Sequence, residues 1–207
     1  GLAFAIVKLN YNSDKGTTGL QPITFYCKHY PKGGAVAKPG DVWYDYMTDT
    51  RYGAGMTGLV DSTSATALNT YSDQTITYTP AGGGSSTQAR YRINGVVDTG
   101  KPVLDNVEKM LECCDSWMAY NAASGKWSVV INKAETSSFS FNDTNLIGEI
   151  RVSAIDINQQ INQIQIEFPS KLNRDQPDLV YMETPAGLLY PNEPPNRQTT
   201  TLEFTND

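Results

Sequence analysis

Only one stretch of this sequence carries a strong helical period, and the rest consists largely of short apolar runs separated by turn residues. Between residues 102 and 118, apolar residues recur at the helical spacing and acidic residues take the opposite side. This pattern predicts one amphipathic helix that packs on a sheet. Pro102 suits the first turn of that helix. The apolar arc consists of Leu104, Val107, Met110, Leu111, Cys114, Trp117 and Met118.

Two-residue alternation predicts strands along much of the remaining chain. Turn sequences join the first two of these runs, and also the third and fourth, into hairpins. Shorter helices are expected at 41–50, capped by Asp41, and at 62–72, whereas the Pro- and Asn-rich residues 169–198 are expected to form a surface excursion. The fold class is therefore α+β, mainly β. The predicted strands are 3–10, 22–30, 74–79, 88–93, 149–155 and 162–168, with strand, turn and strand at 120–132.

Composition and charge limit the kinds of function that we expect of this chain. The chain has 207 residues, of which 18% are charged, and a net charge of −6. Its Lys and Arg residues form no cluster of the kind that binds a phosphate backbone, so sequence-specific nucleic-acid binding is not expected. No apolar run approaches the ~20 residues of a membrane helix, so no membrane span is expected. The sequence begins in one strand-like run and ends just after another, and we expect it to be a segment of a longer protein.

Residue types that carry chemistry are few and scattered. Cys27 and His29 share one face of a predicted strand, as in a two-ligand metal arm, but zinc needs further ligands and there is no second His. Cys113 and Cys114 are expected to be buried as small hydrophobic residues. No Ser–His–Asp arrangement and no distinctive pair of carboxylates stands out. We therefore predict no enzyme activity, no catalytic residue, no metal site and no cofactor.

Three segments, taken in their order along the chain, resemble a known protein family. They are WYDYMTDTRYGAG at 43–55, then YRINGVVDT at 91–99 running into PVLDNVEKML at 102–111, and finally WMAY at 117–120 followed by GKW at 125–127. In this order they resemble the tail tip (host-specificity) proteins of lambda-type long-tailed bacteriophages and prophages. The resemblance extends over most of residues 1–168.

The resemblance implies a structural role at the distal end of the phage tail. Proteins of this family are similar to the baseplate hub of contractile tails, in which three copies form a ring of barrel-like domains beneath the tail tube. It implies a homotrimer that contacts neighbouring tail tube and tail tip proteins, is assembled in the host cytoplasm, and serves DNA passage in the virion. The implied domains are a β-rich hub from 1–38 with about 149–207, and an inserted α+β domain at about 39–148.

Within these segments we expect structural residues. Arg51 and Tyr52, beside Gly53 and Gly55, are expected to end the first helix and to pin its exit turn to the sheet. The tryptophans are expected to anchor the core between helices and sheet. The full set of motif residues is Trp43, Asp45, Arg51, Tyr52, Gly53, Gly55, Pro102, Leu104, Trp117 and Trp127.

Two other functions remain open at this point. A carbohydrate-binding or adhesin module would need an exposed aromatic row, for which Tyr26, Tyr30, Tyr78 and Tyr91 are the candidates. A fragment of a tail-associated cell-wall hydrolase would need a cleft with paired acids or a metal. The net charge of −6 fits a lumen that repels passing DNA, which favours the tail tip interpretation.

Overall fold

The structure, a computed structural model, describes residues 5–8, 10–16, 19, 23, 37–80, 83–142, 144–149 and 151–206. Within these residues the chain forms three α-helices and seven strands, and the strands lie in three small sheets. The fold is α+β, as predicted, and none of the sheets in this part of the chain closes into a barrel. In chain order the elements are α1 (Pro39–Thr48), α2 (Ser62–Ser72), β1 (Thr75–Tyr78), β2 (Ser86–Ala89), α3 (Val103–Glu112), β3 (Ser116–Asn121), β4 (Lys126–Ile131), β5 (Gln163–Ser170), β6 (Gln176–Glu183) and β7 (Arg197–Thr201).

The hydrophobic core lies among the three helices and the β3–β4 hairpin. α1 buries Trp43, Tyr46 and Met47, which follow the i, i+3, i+4 spacing of one helix face. Leu68 of α2 is fully buried in the same cluster, and Phe204, near the end of the chain, belongs to it as well. Removing these side chains from water is the main force that holds the helices on the hairpin.

α1 and α2 approach each other closely because a glycine lies at their contact. A Cβ atom on Gly40 would lie 2.0 Å from the carbonyl oxygen of Ala65, so a larger residue does not fit. Asn69 of α2 accepts a hydrogen bond from the Gly40 N–H (2.9 Å) and donates one to Asp41 Oδ1 (2.7 Å). Asp41 therefore lies in the first turn of α1 and is not its cap, because Lys38 holds the N-cap position.

The helix predicted at 102–118 is too long. α3 ends at Glu112, Asp115 takes a left-handed conformation with a φ of 48°, and the chain then forms β3. The apolar residues of the following strand happen to continue the helical spacing, which made the predicted helix too long. Their pairing with β4 makes this segment a strand and not a further turn of helix. Trp117 is consequently 51% exposed and Leu104 is 52% exposed, so the prediction that they belong to the core is wrong.

The C-terminal part of the chain forms a three-stranded sheet, of which only one strand was predicted. β5, predicted as a strand at 162–168, is the central strand, antiparallel to β6 and parallel to β7. Residues 169–198 are therefore not a surface excursion, because β6 lies within them and β7 begins there. β6 carries four consecutive apolar residues at 179–182 and β7 is polar, so neither displays the two-residue alternation that predicts a strand.

The remaining predicted elements divide into two groups. α2, the β1–β2 hairpin and the β3–β4 hairpin occur where they were predicted, within a few residues. The described residues among 149–155 form no strand, so that prediction is wrong for them. Most of the first predicted hairpin, with Cys27 and His29, lies outside the described residues. In the part of the chain that is described, no helix is long and apolar enough to cross a membrane.

Two leucines of α3 test which residues belong to the core. Leu111 is 1% exposed, whereas Leu104 is half exposed. We expect Leu111→Ala to lower the free energy of unfolding by about 2–5 kcal/mol, because it leaves a cavity. The matched variant Leu104→Ala should cost less than about 1 kcal/mol. Urea denaturation measures both, and an equal loss from the two variants would contradict the different burial of the two leucines.

Candidate functional site

The exit turn of α1 supplies partners for the carbonyl groups that the end of a helix leaves unpaired. The Tyr46 carbonyl accepts a hydrogen bond from the Ala54 N–H (2.9 Å), and the Met47 carbonyl accepts one from the Met56 N–H (2.9 Å). Gly55 has a φ of 65°, a left-handed conformation in which glycine is favoured. The segment after α1 is therefore a cap that folds back on its own helix.

Gly53 is required at this turn by a close approach of two backbone segments. A Cβ atom on Gly53 would lie 1.8 Å from the carbonyl oxygen of Tyr46 and 3.0 Å from that of Asp49. Both neighbours are backbone atoms of the end of α1, so they cannot swing aside as a flexible side chain could. Glycine is therefore needed at position 53 because there is no room for a Cβ atom, and not because the backbone is left-handed there.

Three polar side chains fix the same turn from outside. Asp49 Oδ1 accepts hydrogen bonds from the backbone N–H groups of Arg51 (2.7 Å) and Tyr52 (3.2 Å). The Tyr52 hydroxyl donates to Asp45 Oδ2, and this hydrogen bond is the largest cause that raises the pKa of Tyr52 above its usual range. The phenol therefore remains protonated and donates to the carboxylate at physiological pH.

The structure corrects the role predicted for Arg51 and Tyr52. Tyr52 binds Asp45, on the helix that precedes the turn, and the Arg51 side chain is exposed and forms no ion pair within the described residues. The hydrogen bonds of these two residues thus fix the turn to α1 and not to a sheet. The helix is much nearer along the chain than any strand, since α1 ends at Thr48 and β1 begins at Thr75.

A groove of about 640 Å³ lies between α3 and β3. It brings together three of the predicted motif residues, Leu104, Trp117 and Trp127. Val107 and Leu111, which are buried, also line it. The groove is therefore mainly apolar, and two of its large apolar side chains are half exposed to water.

Acidic side chains border this groove. Glu108, Glu112 and Asp115 line it, and none of them forms an ion pair within the described residues. Glu112 accepts a hydrogen bond from the Thr200 hydroxyl (3.3 Å), and Asp115 accepts one from the Asn132 amide (3.2 Å). Sequence reasoning missed these residues as part of a site, although Leu104, Glu108 and Glu112 are spaced four residues apart and so lie on one side of α3, with Asp115 just after its end.

The three tryptophans have three different environments. Trp43 is fully buried in the core, which confirms the prediction for this residue. Trp127 is partly buried, packs against the core and lies 5.2 Å from the Tyr120 ring, centroid to centroid. Its backbone also joins the hairpin to the start of α2, because its N–H donates to the Leu59 carbonyl (2.8 Å). Trp117, in contrast, is half exposed at the groove.

Pro102 and a buried asparagine fix the start of α3. Pro102 occupies the N-cap position, directly before the first helical residue. Four residues later, Asn106 donates hydrogen bonds to the Tyr46 hydroxyl (3.0 Å) and to the Asp98 carbonyl (2.9 Å). Because Asn106 is buried, loss of these bonds would leave polar groups without partners, so they specify how α3 packs on α1.

Metal ligands and reactive thiols are not brought together in the described part of the chain. Among the described residues no group of three or more His, Cys, Asp and Glu side chains could hold a metal ion. Cys113 and Cys114 are buried, and burial raises the pKa of their thiols to about 11 and about 12. Both remain protonated near neutral pH and are poor nucleophiles. The groove thus offers an apolar lining and an acidic edge.

Of the four tyrosines proposed for an adhesin's aromatic row, the two that are described do not form such a row. Tyr78 is exposed, but Tyr91 is partly buried against the core, 6.3 Å from the Tyr71 ring, centroid to centroid. Tyr26 and Tyr30 lie outside the described residues.

The close approach at Gly53 predicts a specific loss of stability. We expect Gly53→Ala to lower the free energy of unfolding by about 2 kcal/mol, because the added methyl group displaces the turn from the end of α1. Gly187→Ala is the matched control, since a Cβ atom there meets nothing within 4 Å. Thermal unfolding of both variants tests this, and an unchanged melting temperature for Gly53→Ala would refute the packing of the turn.

Neither the comparison with protein-family models nor the comparison with curated proteins finds a match for this chain. The likeness of residues 43–55, 91–111 and 117–127 to phage tail tip proteins therefore rests on the residues themselves, and the role that it implies is a proposal.

Proposed function

We propose that this chain is a structural component of a phage tail tip, and that several copies assemble into a ring at the distal end of the tail tube. The observation that carries the proposal is a partly exposed apolar face on the β6–β5–β7 sheet. The copy number of three and the barrel-like hub are taken from the resemblance described above. Neighbouring tail tube and tail tip proteins are the further partners, and the virion is the location.

The partly exposed face belongs to the two longest strands. Register places Ile164 opposite Met182 and Ile166 opposite Val180, so these four side chains share one face. Ile164 and Val180 are each 43% exposed and Met182 is 62% exposed. Contiguous apolar surface of this kind is uncommon on a soluble monomer and is typical of an interface between chains.

The opposite face of the same sheet is more polar. Gln165 and Glu167 lie on it, and the Arg197 guanidinium stacks over the Tyr181 ring at 4.7 Å from its centroid. The two faces therefore differ: the Ile164 face carries apolar residues from both strands, whereas on the opposite face the exposed Leu179 and Tyr181 of β6 lie beside polar residues of β5. Among the described strands β6 is also an edge strand, and its outer backbone groups can extend the sheet into a neighbouring subunit.

A second exposed segment supports assembly. Residues 133–156 contain no regular helix or strand where they are described, yet Phe139, Phe141, Val152 and Ile155 are exposed there. Exposed aromatic and aliphatic side chains in an irregular segment are expected where the segment packs against a partner. A ring built from head-to-tail contacts uses different surfaces on its two sides, and this chain offers more than one.

The charge of the chain agrees with passage of DNA through such a ring. The net charge of −6 disfavours adhesion of the phosphate backbone to the inner wall. The chain would thus line or frame the conduit without binding the DNA in it. Assembly would take place in the host cytoplasm, before the tail is complete.

Charge placed on the apolar face of the sheet should prevent association. We expect Val180→Asp to weaken self-association at least about tenfold, because assembly would bury an unpaired carboxylate. Leu179→Asp is the matched control: the residue is adjacent and exposed but points to the opposite face. Sedimentation equilibrium measures both. A monomeric unaltered chain, or equal effects of the two substitutions, would contradict the proposed interface.

Localisation tests the proposed role separately from the interface. We expect antibodies raised against residues 39–131, detected by immunogold labelling in negative-stain micrographs, to mark the distal end of the tail and to be absent from tailless particles. Label on host cells and not on virions would overturn the tail tip proposal in favour of an adhesin.

A further inference from the structure

β3 is an edge strand along the groove. Within the described residues β3 pairs with β4 alone, and the bridge between Val60 and Trp127 lies on the β4 side of the hairpin. The Asn132 N–H donates to the Asp115 carbonyl (3.0 Å), which sets the register of the antiparallel pair. Alternate residues of β3, including Met118, therefore direct their backbone N–H and C=O groups away from β4. These groups can accept a further strand.

The groove beside this edge determines the chemistry of that strand. Leu104 and Trp117 are half exposed, so the strand must supply apolar side chains to cover them. Glu108, Glu112 and Asp115 lack ion-pair partners in the described residues, so a basic residue on the strand is favoured and an acidic one is not.

Residues 5–8, which we call the N-terminal arm, match this requirement. They are Ala, Ile, Val and Lys, they lie within the strand predicted at 3–10, and no acidic residue precedes Asp14. In the structure the arm is exposed and belongs to no strand, with Ile6 85% exposed. In an extended conformation Ile6 and Lys8 share one side of the strand, so a single side combines an apolar and a basic residue.

We propose that the N-terminal arm of one copy adds to the free edge of β3 in a neighbouring copy. Ile6 enters the groove beside Leu104 and Trp117, and Lys8 lies among the carboxylates at its border. The arm spans about 13 Å, close to the length of about 15 Å of the ten-residue α3 that flanks the groove. This inference rests on the proposed ring and names one of its contacts.

A peptide tests the groove independently of assembly. A chain that lacks residues 1–10 is titrated with a synthetic peptide of residues 2–11, and tryptophan emission is recorded. We expect saturable binding with a blue shift that is lost in Trp117→Phe, because Trp117 leaves water when the arm covers it. A peptide of the same composition in scrambled order is the control. No binding, or equal binding of the scrambled peptide, would overturn the proposal.

Charge reversal tests the predicted pairing. We expect the peptide with Lys8→Glu, or the chain with Glu108→Lys, to reduce affinity by about three- to tenfold, and the two changes together to restore much of it. Glu149→Lys is the matched control, because Glu149 is exposed and does not line the groove. Equal effects of Glu108→Lys and Glu149→Lys would contradict a specific contact.

The full chain separates this inference from the proposed ring. If it associates and deletion of residues 1–10 reduces association, the arm is an intersubunit contact. If the deletion changes nothing, the arm proposal fails while the ring stands. If the full chain stays monomeric yet the truncated chain binds the peptide, the ring fails and the groove is correct. Concentration-independent burial of Trp117 in the full chain would mean that each arm fills its own groove, which contradicts exchange between copies.

Discussion

The packing of Phe204 into the helical core is the contact on which the arrangement of the described structure depends. The Asn94 N–H donates a hydrogen bond to the Phe204 carbonyl (2.9 Å), and a Cβ atom on Gly95 would lie 2.6 Å from the Phe204 ring. Two residues earlier, the Leu202 N–H donates to the Glu167 carbonyl of β5 (2.9 Å). A short stretch of chain thus joins the C-terminal sheet to the helices, and glycine at position 95 makes that junction possible.

This junction leaves Ile164, Val180 and Met182 on the apolar face of the sheet exposed to water. No described residue of the helical core cluster comes from β5 or β6, and the apolar side chains of β6 remain exposed. Each Å² of such surface removed from water contributes about 25 cal/mol, so covering it favours association by an amount that grows with the area. The exposed side chains of the sheet are therefore the basis of the proposed association between copies.

The sequence predicts elements where local signals agree and fails where tertiary pairing decides. α2 occurs where it was predicted, and the structure adds a cap at its start, where Asp61 accepts hydrogen bonds from the N–H groups of Thr63 (2.9 Å) and Ser64 (3.3 Å). The glycines after α1 were predicted to end that helix. Gly53 is needed there because the backbone of the turn comes close to the end of α1, and this approach is visible only in the folded structure. β6 could not be predicted from alternation, because apolar residues occupy both of its faces.

The error at α3 and the existence of the groove have one physical cause. Leu104 and Trp117 extend an apolar pattern, and in a closed monomer such a pattern would be buried. Here the chain turns at Asp115, so the same residues remain half exposed on either side of a groove bordered by carboxylates. These exposed apolar residues are the observation on which the proposed contact with a neighbouring copy rests. The two residues that depart from the burial predicted by the sequence are thus the ones that line the groove.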